Sequence, residues 1–427
     1  MSLKIFRGDA PPIAQVTDYL FGGTWEANDK IKVTCNNKTP VTMAAGSTTI
    51  SAIIDALVTA IGNVDATVYP EFSEFTASRS GSNLRLTSTK AGVPFEVTLL
   101  TTESDGSAAD GQTIDGATSS TGTDTIPSSG PNHYDDVANW VGGVLPVDGD
   151  DVLIDTIVDI LYGLDQTDIT PASFRQMNNR GKIGLPRWNP VGYWEYRTLS
   201  LTYDGVTDMV LGDGDGPGST RVKIALGAVN SSILVLGSGA SVDGVPAVLL
   251  SGGTSASTCR VARGDVGIAF YDDETATLSL LGVAYLQSPD ADAKVHAGPG
   301  LTLTTFDQTG GFCKLRKGVM TTLRRNGGEL WLPAGAITNV YNDDGKVYLE
   351  GSANATWATY NGGSDGLLST ERYQGTLTIT NTNFYERTGF KNPANRVTFT
   401  NPFKTVRCSL RDIPDVDFGP DRSYQVS

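Results

Sequence analysis

The chain has 427 residues, 49 of them glycine, a hydrophobic fraction of 39% and a formal net charge of −15 at pH 7. Length and apolar content suffice for a buried core and exclude a disordered chain, while the many glycines favour short strands over long helices. Because nucleic-acid binding requires clustered lysines and arginines, the acidic balance argues against a phosphate-binding surface.

The amino-terminal residues contain no apolar stretch of the length that a secretory signal requires. No later stretch reaches the roughly 18 apolar residues of a membrane span. We therefore expect a chain that is made in the cytosol, without a membrane or a nucleic acid as partner. The cysteines are widely separated and form no metal-binding pair, so we expect reduced core residues: Cys35, Cys259, Cys313 and Cys408.

Residues 1–103 are predicted to form a small α+β docking module. Apolar residues alternate with polar ones from Ile31 to Cys35, and Asn36-Asn37 supplies a turn, which indicates a hairpin. The apolar residues between Ile50 and Ile61 have helical spacing. We expect this helix to cover one face of the small sheet.

Three further regions follow the predicted module. Residues 104–132 are rich in Ser, Thr and Gly, and this composition predicts a linker. Residues 133–410 are predicted to form a β-solenoid, with an amino-terminal cap around Trp140 that covers the otherwise bare first strand. Residues 411–427 are predicted to be a carboxy-terminal tail.

A repeat of 17 residues is the main evidence for the solenoid. A period this short predicts coils in which each strand pairs with its equivalent about 4.8 Å away, with glycines at the corners and apolar residues inside. The predicted fold class is therefore mainly β, a right-handed parallel β-helix preceded by a small α+β domain. The predicted corner glycines are Gly311, Gly328, Gly345 and Gly362. The predicted interior stack consists of Phe306, Leu323, Val340, Trp357, Leu315, Leu332 and Leu349.

An aromatic cluster interrupts the strand pattern between Met177 and Leu199, which indicates an insertion or an irregular coil. Such residues either pack a seam between subunits or stack on sugar rings, and packing is the interpretation that we favour. The cluster consists of Trp188, Tyr193, Trp194 and Tyr196.

Candidate chemistry is sparse, and we predict no catalytic, cofactor-binding or metal-binding residue. The run Gly212–Gly216 resembles a calcium loop but occurs once, which favours a plain turn. His133 and His296 are the two histidines, and neither lies in a nucleophile motif. A glycosidase would need a pair of carboxylates, and the candidates are Asp272, Asp273, Glu274, Asp343 and Asp344.

The order of these regions resembles that of structural proteins of tailed phages and prophages, which join a small amino-terminal domain to a β-solenoid. The resemblance rests on Phe6–Pro11, Gly92–Phe95, the segment from Asn139-Trp140 to Asp150-Asp151, and Gly181–Pro186. It implies a non-enzymatic virion protein that assembles in the host cytoplasm, as a homotrimer in contact with capsid or tail proteins.

The resemblance leaves the position in the particle open. A protein that decorates or cements the capsid head is the first expectation. The alternatives are a tailspike or tail fibre, which would bind or depolymerise host polysaccharide near Trp188 and Trp194, and a bacterial surface adhesin.

Overall fold

The computed structural model describes residues 2–177, 181–185, 187–214, 220–283, 293–385, 389–391 and 397–407. The protein is mainly β, as predicted, and the described residues contain one α-helix. Cys408 and the predicted tail 411–427 lie outside the described residues.

The strands are numbered in chain order. The elements before residue 130 are β1 (Leu3–Phe6), β2 (Val16–Gly23), β3 (Lys30–Cys35), β4 (Lys38–Ala44), α1 (Ile50–Gly62), β5 (Phe75–Ser80), β6 (Asn83–Ser88), β7 (Val97–Thr102), β8 (Gln112–Ile114), β9 (Ser119–Ser120) and β10 (Thr123–Ile126). The next elements are β11 (Asp151–Ile154), β12 (Asp165–Gln166), β13 (Ser173–Met177), β14 (Trp188–Asn189), β15 (Tyr193–Trp194), β16 (Leu201–Tyr203), β17 (Asp208–Asp213), β18 (Val222–Leu226), β19 (Ser232–Val235) and β20 (Val248–Gly252). The remaining elements are β21 (Thr258–Val261), β22 (Gly264–Ile268), β23 (Ala276–Val283), β24 (Ala293–Ala297), β25 (Leu301–Gln308), β26 (Phe312–Leu315), β27 (Met320–Pro333), β28 (Ile337–Gly351), β29 (Ala355–Tyr373), β30 (Leu377–Tyr385), β31 (Gly389–Lys391) and β32 (Val397–Arg407).

One long sheet, which we call the ladder, contains β1, β11–β13 and β16–β32. Many of its strands pair in parallel with the strand two positions further along the chain, as β17 does with β19 and β18 with β20. The longer strands β27, β28 and β29 pair directly with one another, also in parallel. Alternate side chains of these strands point inward and form a continuous apolar core.

The 17-residue repeat matches the register of part of the ladder. Phe306 pairs with Leu323 and Leu323 with Val340, so each pair is separated by 17 residues. Leu332 pairs with Leu349 in the second predicted column. These residues are buried in the ladder core, as is Leu315.

The prediction is wrong at the next strand. Val340 pairs with Tyr360, and Trp357, although buried, pairs with Ile337. Gly362 likewise lies opposite Asn342, which is not a glycine position. The reason is that the path from β28 to β29 is three residues longer, so the spacing becomes 20 residues between Val340 and Tyr360.

Glycines occupy a bend, or corner, in the regular part of the ladder. Gly311, Gly328 and Gly345 all have positive φ, of 68°, 76° and 85°, which favours glycine. A Cβ on Gly328 would lie 2.5 Å from the Gly311 carbonyl oxygen, so the stacked corners also leave no space for a side chain. Gly366 pairs with Gly345 and so takes the position that we had predicted for Gly362.

A buried polar column runs beside these corners. Gln308 pairs with Arg325 and Arg325 with Asn342, again at a spacing of 17 residues. The Arg325 guanidinium donates to Gln308 Oε1 (3.0 Å) and to the carbonyl oxygens of Gly327 and Gly328 (both 2.8 Å). Burial lowers its pKa to about 10. The buried guanidinium therefore satisfies the corner carbonyl groups with hydrogen bonds. Amide and carbonyl oxygens, rather than a carboxylate, surround its positive charge.

The small α+β module is inserted into the ladder rather than placed before it. Leu3–Phe6 pairs in parallel with Asp151–Ile154, so the ladder begins at β1 and continues only after the module. The predicted hairpin β3–β4 and the helix α1 are confirmed, and α1 packs against β4, β5 and β6. The module boundary predicted at residue 1 is therefore wrong by the length of β1.

The segment 104–132, predicted as a linker, is part of the module. Its strand β8 pairs with the end of β2, β10 pairs with the start of β2, and β9 pairs with β7. Few of its side chains are buried, so its stability comes from backbone pairing rather than from apolar burial.

Trp140 lies at the outer edge of β1, so the strand that it covers is β1 and not the first strand of the predicted solenoid 133–410. Phe6 and Trp140 form an antiparallel bridge, the Val141 N–H donates to the Ile5 carbonyl oxygen (3.0 Å), and the two rings pack edge to face. The adjacent Asn139 is buried. It forms hydrogen bonds both with the segment that leaves the ladder after β1 and with the segment that returns to it. Its side chain accepts from the Ala10 N–H (2.8 Å) and donates to the Gly130 carbonyl oxygen (2.8 Å).

Two alanine substitutions test the corner geometry. Gly328 and Gly351 both have positive φ, but a Cβ on Gly351 would meet nothing within 4 Å. We expect Gly351→Ala to lower the free energy of unfolding by about 1 kcal/mol, and Gly328→Ala by about 2–4 kcal/mol because a steric clash is added. Urea denaturation of the two variants measures the difference. Equal losses would contradict the stacked corners.

Candidate binding surface

The aromatic insertion forms a hairpin in which β14 and β15 pair antiparallel. Trp188 and Trp194 face each other across it with ring centroids 5.1 Å apart, edge to face. Trp188 is 49% exposed, Trp194 60%, and Val191 in the turn 60%. We call these three residues the tryptophan tip.

The two tyrosines of the cluster face the opposite way, toward the α+β module. Tyr193 is buried, and its hydroxyl donates to the Glu74 carboxylate. The Tyr196 hydroxyl donates to the same carboxylate at 2.9 Å, and its ring packs against the module core. The structure therefore divides the predicted cluster, since the tyrosines join two parts of one chain and only the tryptophans remain exposed.

Arg197 is the centre of this junction. Its guanidinium donates to both oxygens of Glu195 (2.6 and 2.9 Å), to Glu74 Oε1 (3.1 Å) and to the Pro94 carbonyl oxygen (2.6 Å). The side chain is almost completely buried, with two carboxylates as partners. The β14–β15 hairpin and the module are thus joined by a buried ionic network.

The electrostatics of the junction follow from burial and pairing. Burial alone would lower the pKa of Arg197, but the hydrogen bond that Arg197 donates to Glu195 and the charge of Glu74 outweigh it and raise the pKa. Burial would raise the pKa of Glu195, but the hydrogen bond and charge of Arg197 hold it below its ordinary value. Arg197 and Glu195 are therefore both charged at neutral pH.

The backbone of the hairpin is held by further hydrogen bonds. Asn36 of the β3–β4 turn donates to the Trp194 carbonyl oxygen (3.0 Å). Asn189 donates to the Tyr193 hydroxyl (2.9 Å) and to Glu195 (3.1 Å). The tryptophan tip is therefore presented on a rigid support.

The candidate carboxylates of the ladder face are engaged in ion pairs. Asp272 pairs with Arg316 (2.8 Å), Asp273 with Arg187 (2.6 Å) and Glu274 with Lys223 (2.9 Å). The hydrogen bond from Arg187 lowers the pKa of Asp273, which is the opposite of what a general acid requires. Arg187 directly precedes Trp188, so these carboxylates do lie beside the hairpin, as the tailspike alternative assumed.

The other predicted carboxylates lie elsewhere. Asp343 and Asp344 lie at the bend of β28, where Asp344 accepts from the Gly345 N–H (2.5 Å). In the Gly212–Gly216 run, Asp213 pairs with Arg175 (3.3 Å), whereas residues 215 and 216 lie outside the described residues. Among the residues that the structure describes, no group of three His, Cys, Asp or Glu side chains is placed to hold a metal ion.

His133 has neighbours that resemble a nucleophile triad. Its Nε2 lies 3.3 Å from the Ser128 hydroxyl, and its Nδ1 lies 3.7 Å from Asp135. Nε2 is also 3.2 Å from the Gly92 carbonyl oxygen, which can only accept a hydrogen bond. Only the tautomer with the proton on Nε2 makes this contact a hydrogen bond, and in that tautomer Nε2 is not a base toward Ser128. The Asp135 distance also exceeds a hydrogen bond.

The remaining titratable candidates are partly or fully buried. His296 lies 3.6 Å from Asp265, and burial lowers the pKa of the histidine. Cys35, Cys259 and Cys313 are free and buried, which confirms the prediction for these three, and burial raises the pKa of Cys259 to about 12. Such thiols are protonated and unreactive at neutral pH.

Comparison with protein-family models, with curated proteins and with solved structures found no match to this chain. The described residues also include no helix with the length and apolar character of a membrane span.

Loss of Arg197 tests whether the junction holds the module. Arg197→Met leaves two buried carboxylates without their partner, and we expect a loss of about 3–5 kcal/mol in unfolding free energy. Arg79→Met is the matched control, because Arg79 and Asp55 form an exposed pair at 2.7 Å that is worth about 1 kcal/mol or less. Chemical denaturation of both variants provides the comparison. A loss for Arg197→Met no larger than that for Arg79→Met would refute the buried network.

The junction also predicts a pH dependence. A carboxylate whose pKa is lowered by folding stabilises the protein above its unfolded value, here 4.5, and this contribution disappears as the pH falls through the folded value. Glu195→Gln should therefore be less stable than the natural chain at pH 7. The difference should shrink below pH ~4.5, since both side chains are then neutral. A difference that stays constant down to pH ~3 would contradict this assignment.

Proposed function

We propose that this chain is a non-enzymatic structural protein of a virus particle, which decorates or cements the capsid surface as a trimer. The ladder is a right-handed β-solenoid in this proposal, and the inserted module contacts neighbouring virion proteins. The particle assembles in the host cytoplasm.

The observation that carries the proposal is the way in which the module is joined to the ladder. The chain crosses between them twice, at Ala10 and at Gly130, and Asn139 binds both crossings. Arg197 adds a second, ionic connection. A domain held at several buried points transmits force to its support, as a cementing protein must, whereas a flexible tether would not.

The ladder itself supports a mechanical role. Parallel backbone hydrogen bonds link the neighbouring strands of the ladder from β1 to β32, and the core beneath them is continuous. The edge of β1 is covered by Asn139–Val141, which prevents further strands from adding there. These features and the resemblance in sequence support a scaffold rather than a catalyst.

Immunogold electron microscopy of purified particles tests the proposal. Antibodies against the inserted module should label the capsid surface at many positions, and washed particles should retain the chain in stoichiometric amount. Label at the tail tip alone would contradict capsid decoration and favour the tail alternative. Particles that lack the chain altogether would refute a virion role.

A further inference from the structure

The tryptophan tip is the most exposed aromatic surface that the structure describes, and the proposed scaffold role does not use it. Trp188 and Trp194 are about half exposed or more, although tryptophan is usually well buried. The junction beneath them already has Tyr193 and Tyr196 as its packing residues, so folding does not require the tryptophans at this place.

We propose that the tryptophan tip binds a neutral polysaccharide without cleaving it. A hexose ring has an apolar C–H face that packs on an indole, while its hydroxyls bind polar groups beside the ring. The inference is independent of the virion proposal, because it rests on the geometry of the hairpin alone.

The size of the tip argues for a small contact rather than a protein interface. The exposed parts of Trp188, Val191 and Trp194 together amount to about 300 Å², given the areas that aromatic side chains present. A stable protein partner would need about 800 Å² on each side. Two or three sugar rings match the smaller area.

Polar groups of the right kind lie beside the backbone of the hairpin. Asn36 and Asn37 form the adjacent turn, Asn37 is exposed, and Asn36 is positioned by its hydrogen bond to the Trp194 carbonyl oxygen. Amide groups both donate and accept hydrogen bonds, as sugar hydroxyls do. A binding site of this kind needs only a few such groups to orient its ligand.

Charge favours a neutral polymer. The charged residues next to the tip, Arg187 and Glu195, are each paired within the chain. The chain as a whole carries a net charge of −15, which repels anionic polysaccharides. The carboxylates Asp272, Asp273 and Glu274 are held in ion pairs, which is consistent with binding without hydrolysis.

The hairpin that carries the tryptophan tip is rigid. The hairpin is fixed by Asn189 and by the buried Arg197 network, so the two rings are held in their arrangement before a ligand arrives. A surface of this kind loses little conformational entropy on binding.

Affinity electrophoresis tests the inference. The full chain is run in native gels that contain dextran, laminarin, galactomannan or, as the anionic comparison, alginate. We expect retardation by at least one neutral polymer, none by alginate, and at least tenfold weaker binding for Trp188→Ala and Trp194→Ala. Trp194→Tyr should retain part of the binding.

Trp331→Ala is the matched control, because Trp331 is a partly exposed tryptophan on β27 that stacks on Tyr348. It should bind like the natural chain, and circular dichroism should show that all variants fold. Absence of retardation by all three neutral polymers, or unchanged binding by Trp188→Ala and Trp194→Ala, would overturn the inference. Absence of polysaccharide binding would leave the immunogold test of the virion proposal unaffected.

Discussion

Hydrogen bonds between parallel strands determine where every side chain of the ladder lies. Because paired residues are stacked about 4.8 Å apart, an apolar residue lies over an apolar one, and a glycine corner over a glycine corner. The same constraint applies to polar residues. Gln308, Arg325 and Asn342 are in register, so the buried guanidinium receives acceptors from the neighbouring strands on both sides. The register therefore allows an arginine to be buried with amide and carbonyl oxygens as its hydrogen-bond partners.

Desolvation explains the second structural element, the junction between module and ladder. Glu74, Glu195 and Arg197 are largely removed from water, and such groups are tolerated only when they are paired. Their mutual dependence gives the module one orientation on the ladder. The same network supports the hairpin from below, so the exposed position of Trp188 and Trp194 is a consequence of how the module is attached.

The sequence predicted the regular part of the fold because the register leaves a visible spacing. Phe306, Leu323 and Val340 show it directly, and the helix α1 has its own apolar periodicity. The change at β29 was not predictable, because the three extra residues lie in the connection between Glu350 and Trp357, where no sequence motif marks them. Gly362 matched the repeat by position, although Gly366 is the residue that pairs with Gly345.

Two other features were missed because their partners are distant in sequence. β1 has four residues, and its pairing with β11 joins positions that lie 148 apart, from Leu3 to Asp151. The segment 104–132 contains few apolar residues, but its strands complete sheets that other strands begin. For the binding surface, the aromatic cluster was visible in the sequence, but its division into buried tyrosines and exposed tryptophans was not. Glu195 and Arg197 within that aromatic run were a signal for a buried ion pair.

The central structural claim is that the ladder begins at β1 and carries the module as an insertion. Hydrogen–deuterium exchange of the intact chain, followed by mass spectrometry of peptides that cover Leu3–Phe6 and Asp151–Ile154, tests it most directly. The account predicts that both peptides exchange slowly and at similar rates, because their amides belong to one parallel sheet. Complete exchange of the first peptide within seconds, with the second protected, would show that the ladder starts at β11 and would contradict the claim.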